Sequence, residues 1–270
     1  MSATRPAWSE AFADGASGRL ARALPLGPVD RATAFGGSDG SGVRVAIVDS
    51  GVDAAHPAIG GQITRAMRVE LDGESATIVE DGDGRDVVGH GTACAGIIHG
   101  LAPGAELVSI RVLGPDNRGK GRAVAAAVTW AIDAGIEVVN LSLSSRSDAM
   151  FGTFHELADR AYFANTLLVC AANNVPGPSY PSLFAAVVSV AAHGVADPWT
   201  WFYNPAPPVE FGAYGVDVEV AWRDGGRIRA TGNSFAAPHI AGLAALLRSR
   251  HPDASPFEIK ALLAATASTA

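Results

Sequence analysis

Cysteine is scarce in this chain: Cys94 and Cys170 are the two it has, far apart in 270 residues. That count excludes a disulfide-built scaffold and suits a reducing compartment. The N-terminal stretch MSATRPAWSEAFADGASGRL has no continuous apolar core, so no secretory signal is expected. No apolar run approaches the length needed to cross a membrane. Dense Lys/Arg runs are also missing, and the formal charge is −7, which argues against a partner bound through its phosphates, nucleic acid included. Internal repeats, low-complexity tracts and an interdomain linker are absent. The expectation from these gaps is a cytoplasmic protein, with a secreted mature form as the alternative, and one main domain over residues 26–270. Residues 1–25 then form a short extension. Trp8, Phe12, Ala16, Leu20 and Leu24 space an amphipathic helix there, weakened by Gly15 and Gly18.

Apolar residues, by contrast, are plentiful at 48%, enough for a substantial core. Short apolar runs at 43–48, 106–112, 136–141, 166–171 and 186–191 read as buried strands. Ala-rich stretches at about 90–99, 121–134, 154–165, 235–250 and 256–266 read as helices. Strands alternating with helices predict an α/β fold with three layers, α/β/α, around a mainly parallel sheet. Sites in such sheets form at the C-terminal strand ends.

Four short segments carry chemistry. Asp49 directly follows the first strand, within Val48-Asp49-Ser50-Gly51. His90 opens a helix in Gly89-His90-Gly91-Thr92. Asn173 and Asn174 follow the 166–171 strand. Ser234 opens a helix in Gly232-Asn233-Ser234-Phe235-Ala236-Ala237-Pro238. They supply an acid, a base, an amide and a nucleophile. A serine hydroxyl needs an adjacent base to attack, a histidine can take and return its proton, and an aspartate can fix the histidine tautomer. Taken singly, Ser234 reads equally as a helix N-cap, His90 as a core or capping histidine, and Asp49 as an Asx turn. Together, in the chain order Asp, His, Ser, they predict a serine hydrolase with catalytic Asp49, His90 and Ser234. That order separates subtilisin-like enzymes from chymotrypsin-like enzymes and α/β-hydrolases.

The surrounding words strengthen this. Asp49-Ser50-Gly51-Val52-Asp53-Ala54-Ala55-His56-Pro57, His90-Gly91-Thr92-Ala93-Cys94-Ala95-Gly96 and Ser234-Phe235-Ala236-Ala237-Pro238-His239-Ile240-Ala241-Gly242 resemble the subtilisin-like serine protease family over about Leu26 to Thr266. The resemblance implies a serine endopeptidase acting on peptide or protein substrates through an acyl-enzyme, with no cofactor and no catalytic metal. It implies Asn174 as the oxyanion donor. It also implies substrate held in extended form between Ser142-Leu143-Ser144 and roughly Gly119-Lys120-Gly121, where glycine would let substrate backbone approach closely. A selective, intracellular peptide-processing role is expected. The alternatives are a peptide-binding scaffold without catalysis, and a macrocyclising transpeptidase, against which the 41-residue Asp49–His90 spacing counts.

Departures from the family pattern carry expectations of their own. Ser144 and Asn173 replace glycines of the primary specificity pocket, which predicts small or polar residues at P1, the residue whose carbonyl is attacked. Asn233 replaces a Thr, and Phe235 replaces an oxidisable Met. Ala58 stands where the family has a calcium-binding Asp, and the matching loop after the His90 helix is missing, so the family's strong calcium site is not expected. The acidic run Glu80-Asp81-Gly82-Asp83-Gly84 reads as a solvated hairpin, and Asp86 as a carboxylate facing substrate near P2.

Overall fold

In Arg44–Asp49, strand β1, alternate residues serve opposite layers. Val45 and Ile47 join one buried cluster, while Ala46 and Val48 join another on the opposite face. That period of two is how one strand feeds two cores. The same alternation runs through β4 (Glu106–Arg111), β5 (Val138–Leu141) and β6 (Leu167–Ala171). The structure, a computed structural model, describes residues 29–206 and 208–269. The extension over residues 1–25 and its expected helix lie outside them.

The main sheet runs β3-β2-β4-β1-β5-β6-β7-β9-β8. Here β2 is Ile63–Asp72, β3 Ser75–Glu80, β7 Val188–His193, β8 Trp201–Tyr203 and β9 Phe211–Tyr214. Every internal pair is parallel, and only the two edge strands, β3 and β8, run antiparallel to their neighbours. Helices α2 (His90–Leu101) and α5 (Asn233–Arg250) cover one face, joined by α1 (Arg31–Phe35) and α6 (Pro256–Ala265). Helices α3 (Gly121–Asp133) and α4 (Phe151–Phe163) cover the other. The three-layer α/β/α reading therefore holds.

A hairpin of β10 (Val218–Trp222) and β11 (Gly226–Ala230) stands apart as its own two-stranded sheet. It packs on α2 through a third, smaller apolar cluster of Ala93, Val218, Val220 and Phe235. Helix α5 is buried from Phe235 to Arg248 without a break. A helix apolar all round belongs in the interior rather than at the surface. Among the described residues, no helix is long and apolar enough to cross a membrane.

Two acidic residues depart from the sequence reading. Asp81 is buried, and Arg111 donates to it through Nε (2.9 Å) and Nη2 (3.0 Å). Glu80, Gly82 and Asp83 are exposed, as a solvated stretch would be, but the run 80–84 is a turn leaving the end of β3 rather than a hairpin tip, and Asp81 is tied down by this fork. The hairpin tip lies instead between Asp72 and Ser75. The second is Asp86, whose partners belong to the site itself.

Candidate active site

Asp49 continues the odd-numbered series of β1, so its carboxylate enters the layer that holds α2. It is fully buried, and its oxygens lie 2.8 and 2.9 Å from His90 Nδ1. His90 is the first residue of α2, after Gly89. Gly89 has φ of 118°, and a Cβ there would fall 2.3 Å from the Trp222 ring, so the hairpin leaves room only for glycine.

Asp86 holds this corner together. Its carboxylate accepts from Gly89 N (2.7 Å), Val88 N (2.9 Å), Thr92 N (2.8 Å), Thr92 Oγ1 (2.7 Å) and Ser50 Oγ (2.7 Å). It is buried and saturated, which corrects the reading of Asp86 as a substrate contact. It satisfies the free N–H groups at the start of α2, as a capping carboxylate should. Through Ser50 it also ties Asp49's neighbour to His90's helix.

Burial opposes a charge on His90. The pull of Asp49, its hydrogen bond and a smaller pull from Asp86 outweigh that and raise the imidazole above its ordinary 6.5. With Nδ1 bound to Asp49, Nε2 is the nitrogen left to exchange a proton.

Ser234 sits in the first turn of α5, whose N-cap is Gly232, so it is not a capping serine. Pro238, four residues on, has no N–H to give to the Ser234 carbonyl. Ser142 Oγ donates to that carbonyl instead, at 2.8 Å. Ser142 follows β5 on the same side as Val138, and accepts in turn from Asn140 Nδ2 at 3.0 Å. Its hydroxyl is thus committed to the main chain of Ser234, a supporting role beside its place on the cavity wall.

Asn174 is oriented by its own oxygen. Asn233 N donates to Asn174 Oδ1 at 2.9 Å, which turns Nδ2 the other way. A Cβ placed on Gly232 would lie 3.3 Å from Ser234 Oγ and 3.6 Å from Asn174 Nδ2, so the two atoms flank one small space. Asn233, which the sequence marked only as an odd replacement, also donates through Nδ2 to Ala172 O (3.0 Å) and accepts from Ala192 N (2.9 Å). It pins the 172–174 turn to the end of β7. Phe235 lays its ring 5.3 Å from the His90 ring.

His90, Ser142, Asn173, Asn174 and Ser234 line one cavity of about 590 Å³. Leu143, Ser144, Gly119 and Gly121 line it too, whereas Lys120 does not. Lys120 is the exposed residue before α3, so it is withdrawn from the cavity wall. The two glycines also have a packing reason. A Cβ on Gly119 would meet Val112 O at 2.7 Å, and one on Gly121 would meet Met150 Cγ at 2.7 Å. A carboxylate-held imidazole, a serine and an oriented amide around one cavity can perform base-assisted acyl transfer.

A profile of the subtilase family matches residues 40–270. The chain belongs to the subtilase family. It is 33% identical over 239 residues to a thermostable alkaline protease of Halalkalibacterium halodurans, covering 84% of this chain and 63% of that one. With subtilisin BL of Lederbergia lenta it shares 33% over 244 residues, 86% of each chain. Of solved structures, a cold-adapted subtilisin-like serine proteinase superposes with a TM-score of 0.69 at 26% identity, covering 90% of this chain and 87% of that one. A psychrophilic protease gives 0.72 at 28% identity, covering 84% and 83%. This subtilase carries both cysteines as buried free thiols. Cys94 Sγ lies 3.8 Å from Asp49 Oδ2 and 3.7 Å from Ser234 O. Asp49, His90 and Cys94 bring three ligand-type atoms within 4.8 Å of one another. Burial first, then the nearby Asp49 charge, push the Cys94 thiol well up, so it is held protonated.

Proposed function

We propose that this chain is a serine endopeptidase that hydrolyses peptide bonds through an acyl-enzyme. The observation that carries this reading is the buried Asp49–His90 pair opening onto the cavity that Ser234 and Asn174 share. Ser234 Oγ attacks the scissile carbonyl, and His90 Nε2 takes the hydroxyl proton and returns it to the leaving amine. Asp49 holds the tautomer and stabilises the imidazolium. Asn174 Nδ2 and the Ser234 backbone N–H receive the oxyanion. Substrate lies extended between Leu143-Ser144 and Gly119, and Ser144 and Asn173 favour small or polar P1 residues. An intracellular role in processing selected peptides fits the narrowed pocket.

Intact mass after treatment with a fluorophosphonate tests this, on wild type and Ser234→Ala side by side. One adduct on wild type and none on the variant is the expected result. A folded wild type that takes no adduct returns the protein to a peptide-binding scaffold.

The pH profile gives a second test. His90 must be neutral to act as base, and its neighbours favour the charged form. The acid limb of kcat/KM therefore has its midpoint above the ordinary 6.5. A rate series from about pH 5 to about pH 10 on one peptide measures it, and a midpoint below 6.5 contradicts the assignment.

A further inference from the structure

The side of the cavity nearest the paired asparagines is a cluster of hydrogen-bond donors. Val175 N donates to Asn173 Oδ1 at 2.9 Å, which consumes the amide oxygen. The Asn173 amino group therefore faces the other way, and donates to Ser144 Oγ at 3.3 Å. An amide NH₂ has a second proton, and a hydroxyl that accepts still has its own proton to give. Neither of these is engaged among the described residues. Both belong to side chains lining the cavity that Ser234 shares.

Charge points the same way. Among the cavity's lining residues the ionisable ones are His90 and Arg118, and none is a carboxylate. Arg118 has no side-chain ion pair or hydrogen bond among the described residues. Arg146, next in sequence to the lining residue Ser145, is likewise unpaired but does not itself line the cavity; its Nη2 lies 3.4 Å from where a Cβ on Gly177 would be. Two carboxylates stand near these cations in sequence. Asp116 accepts from the Arg118 backbone N–H at 3.2 Å, and Asp148 accepts from the Tyr180 hydroxyl at 3.4 Å. Neither lines the cavity. The chain as a whole carries −7, but its distant charges are screened beyond about 8 Å at physiological ionic strength. A local cationic, donor-rich pocket thus sits in an acidic protein.

We propose that this subsite selects a carboxylate side chain at P1, so that the enzyme cleaves after acidic residues. The inference rests on the endopeptidase reading above. Asn173 Nδ2 and Ser144 O–H donate to the carboxylate oxygens, and Arg118 on the cavity lining supplies the counter-charge, with Arg146 beyond the lining adding to the local positive field. A pocket built to donate hydrogen bonds discriminates more strongly than an apolar one, because a side chain that accepts nothing leaves buried donors unpaired. A lysine at P1 is disfavoured on both counts, by donors facing donors and by like charge.

Four fluorogenic peptides identical except for Glu, Gln, Phe or Lys at P1, assayed at about pH 8 in low and high salt, test it. Glu is expected to exceed Gln and Phe by about tenfold or more in kcat/KM, with Lys lowest, and the Glu-over-Gln ratio to shrink as salt rises. Arg146→Ala, an exposed position, is expected to lower the Glu-over-Gln ratio, and Asn173→Gly to lower Glu and Gln relative to Phe. Equal rates for Glu and Gln, or a preference for Phe or Lys, overturn the proposal while leaving the endopeptidase reading intact. Failure to cut any of the four by enzyme that the fluorophosphonate labels overturns the proposal alone. Failure to label as well overturns both.

Discussion

Asp49→Asn is expected to lower kcat by about 10⁴, the size associated with losing the correct histidine tautomer in Ser-His-Asp enzymes. Both carboxylate oxygens face His90 Nδ1 within 2.9 Å, so the wild-type side chain accepts the Nδ1 proton whichever oxygen is used. An asparagine there has one acceptor and one donor. Ser50 N also donates to Asp49 Oδ1 at 2.8 Å, so the amide settles with its oxygen on Ser50 and its NH₂ towards the ring. His90 must then carry its proton on Nε2, where it cannot accept one from Ser234. The substitution is isosteric and removes a buried negative charge, so the fold is expected to survive it. Steady-state kinetics beside a far-UV melt check the pairing of a large rate loss with little change in Tm. A rate within about tenfold of wild type would remove Asp49 from the proposed machinery.

Gly91→Ala is expected to damage stability and activity together. Residues 49–51 and 85–91 meet backbone to backbone. A Cβ on Gly91 would stand 2.0 Å from Gly51 O and 3.2 Å from Asp49 Cβ. Gly51 in turn has φ of 98° and passes Arg85 O at 2.2 Å from its own Cβ position. Neither neighbour is a flexible side-chain end, so the strain must move the main chain carrying Asp49 away from the helix carrying His90. Overpacking of this kind typically costs about 1–3 kcal/mol, and the upper end is expected where main chain must move. Denaturant titration reads the loss as a lower midpoint with unchanged slope, and the surviving folded fraction should turn over substrate poorly. A Gly91→Ala variant as stable and as active as wild type would mean that the two turns can slide apart freely.

The layered sheet was legible because its inner strands are apolar runs with little interruption, such as residues 43–48 and Leu167–Ala171, separated by Ala-rich helices. The edges were not. β8 and β9 are short, and β2 and β3 mix charge with apolar residues because they pair over solvent. The β10–β11 hairpin carries a short local signal, with Val218, Val220 and Trp222 alternating and Asp224-Gly225 as a turn pair. At the site, the segment words picked out Asp49, His90, Asn174 and Ser234, which the structure brings together at one corner of the fold. Asp81 and Asp86 do not look structural in sequence because their partners lie elsewhere in the chain, on Arg111 for one and on Ser50 and Thr92 for the other. Asn233 looks like a bare substitution in sequence for the same reason. Its partners at Ala172, Asn174 and Ala192 become neighbours only when β6, β7 and α5 meet.

The unbroken burial of α5 has a consequence for the protein's survival in its own company. Local fraying sets which stretches of a native chain become extended for a moment, and such openings are rare where every face of an element is packed. Opening α5 alone would strip the covering from β5, β6, β7 and β9 together, so it opens only when the domain does. A cleft that grips extended backbone finds little to grip in the segment bearing Ser234. On the proposed activity, each molecule thus shields its reactive serine from its neighbours by lodging it in the part of the fold that yields last.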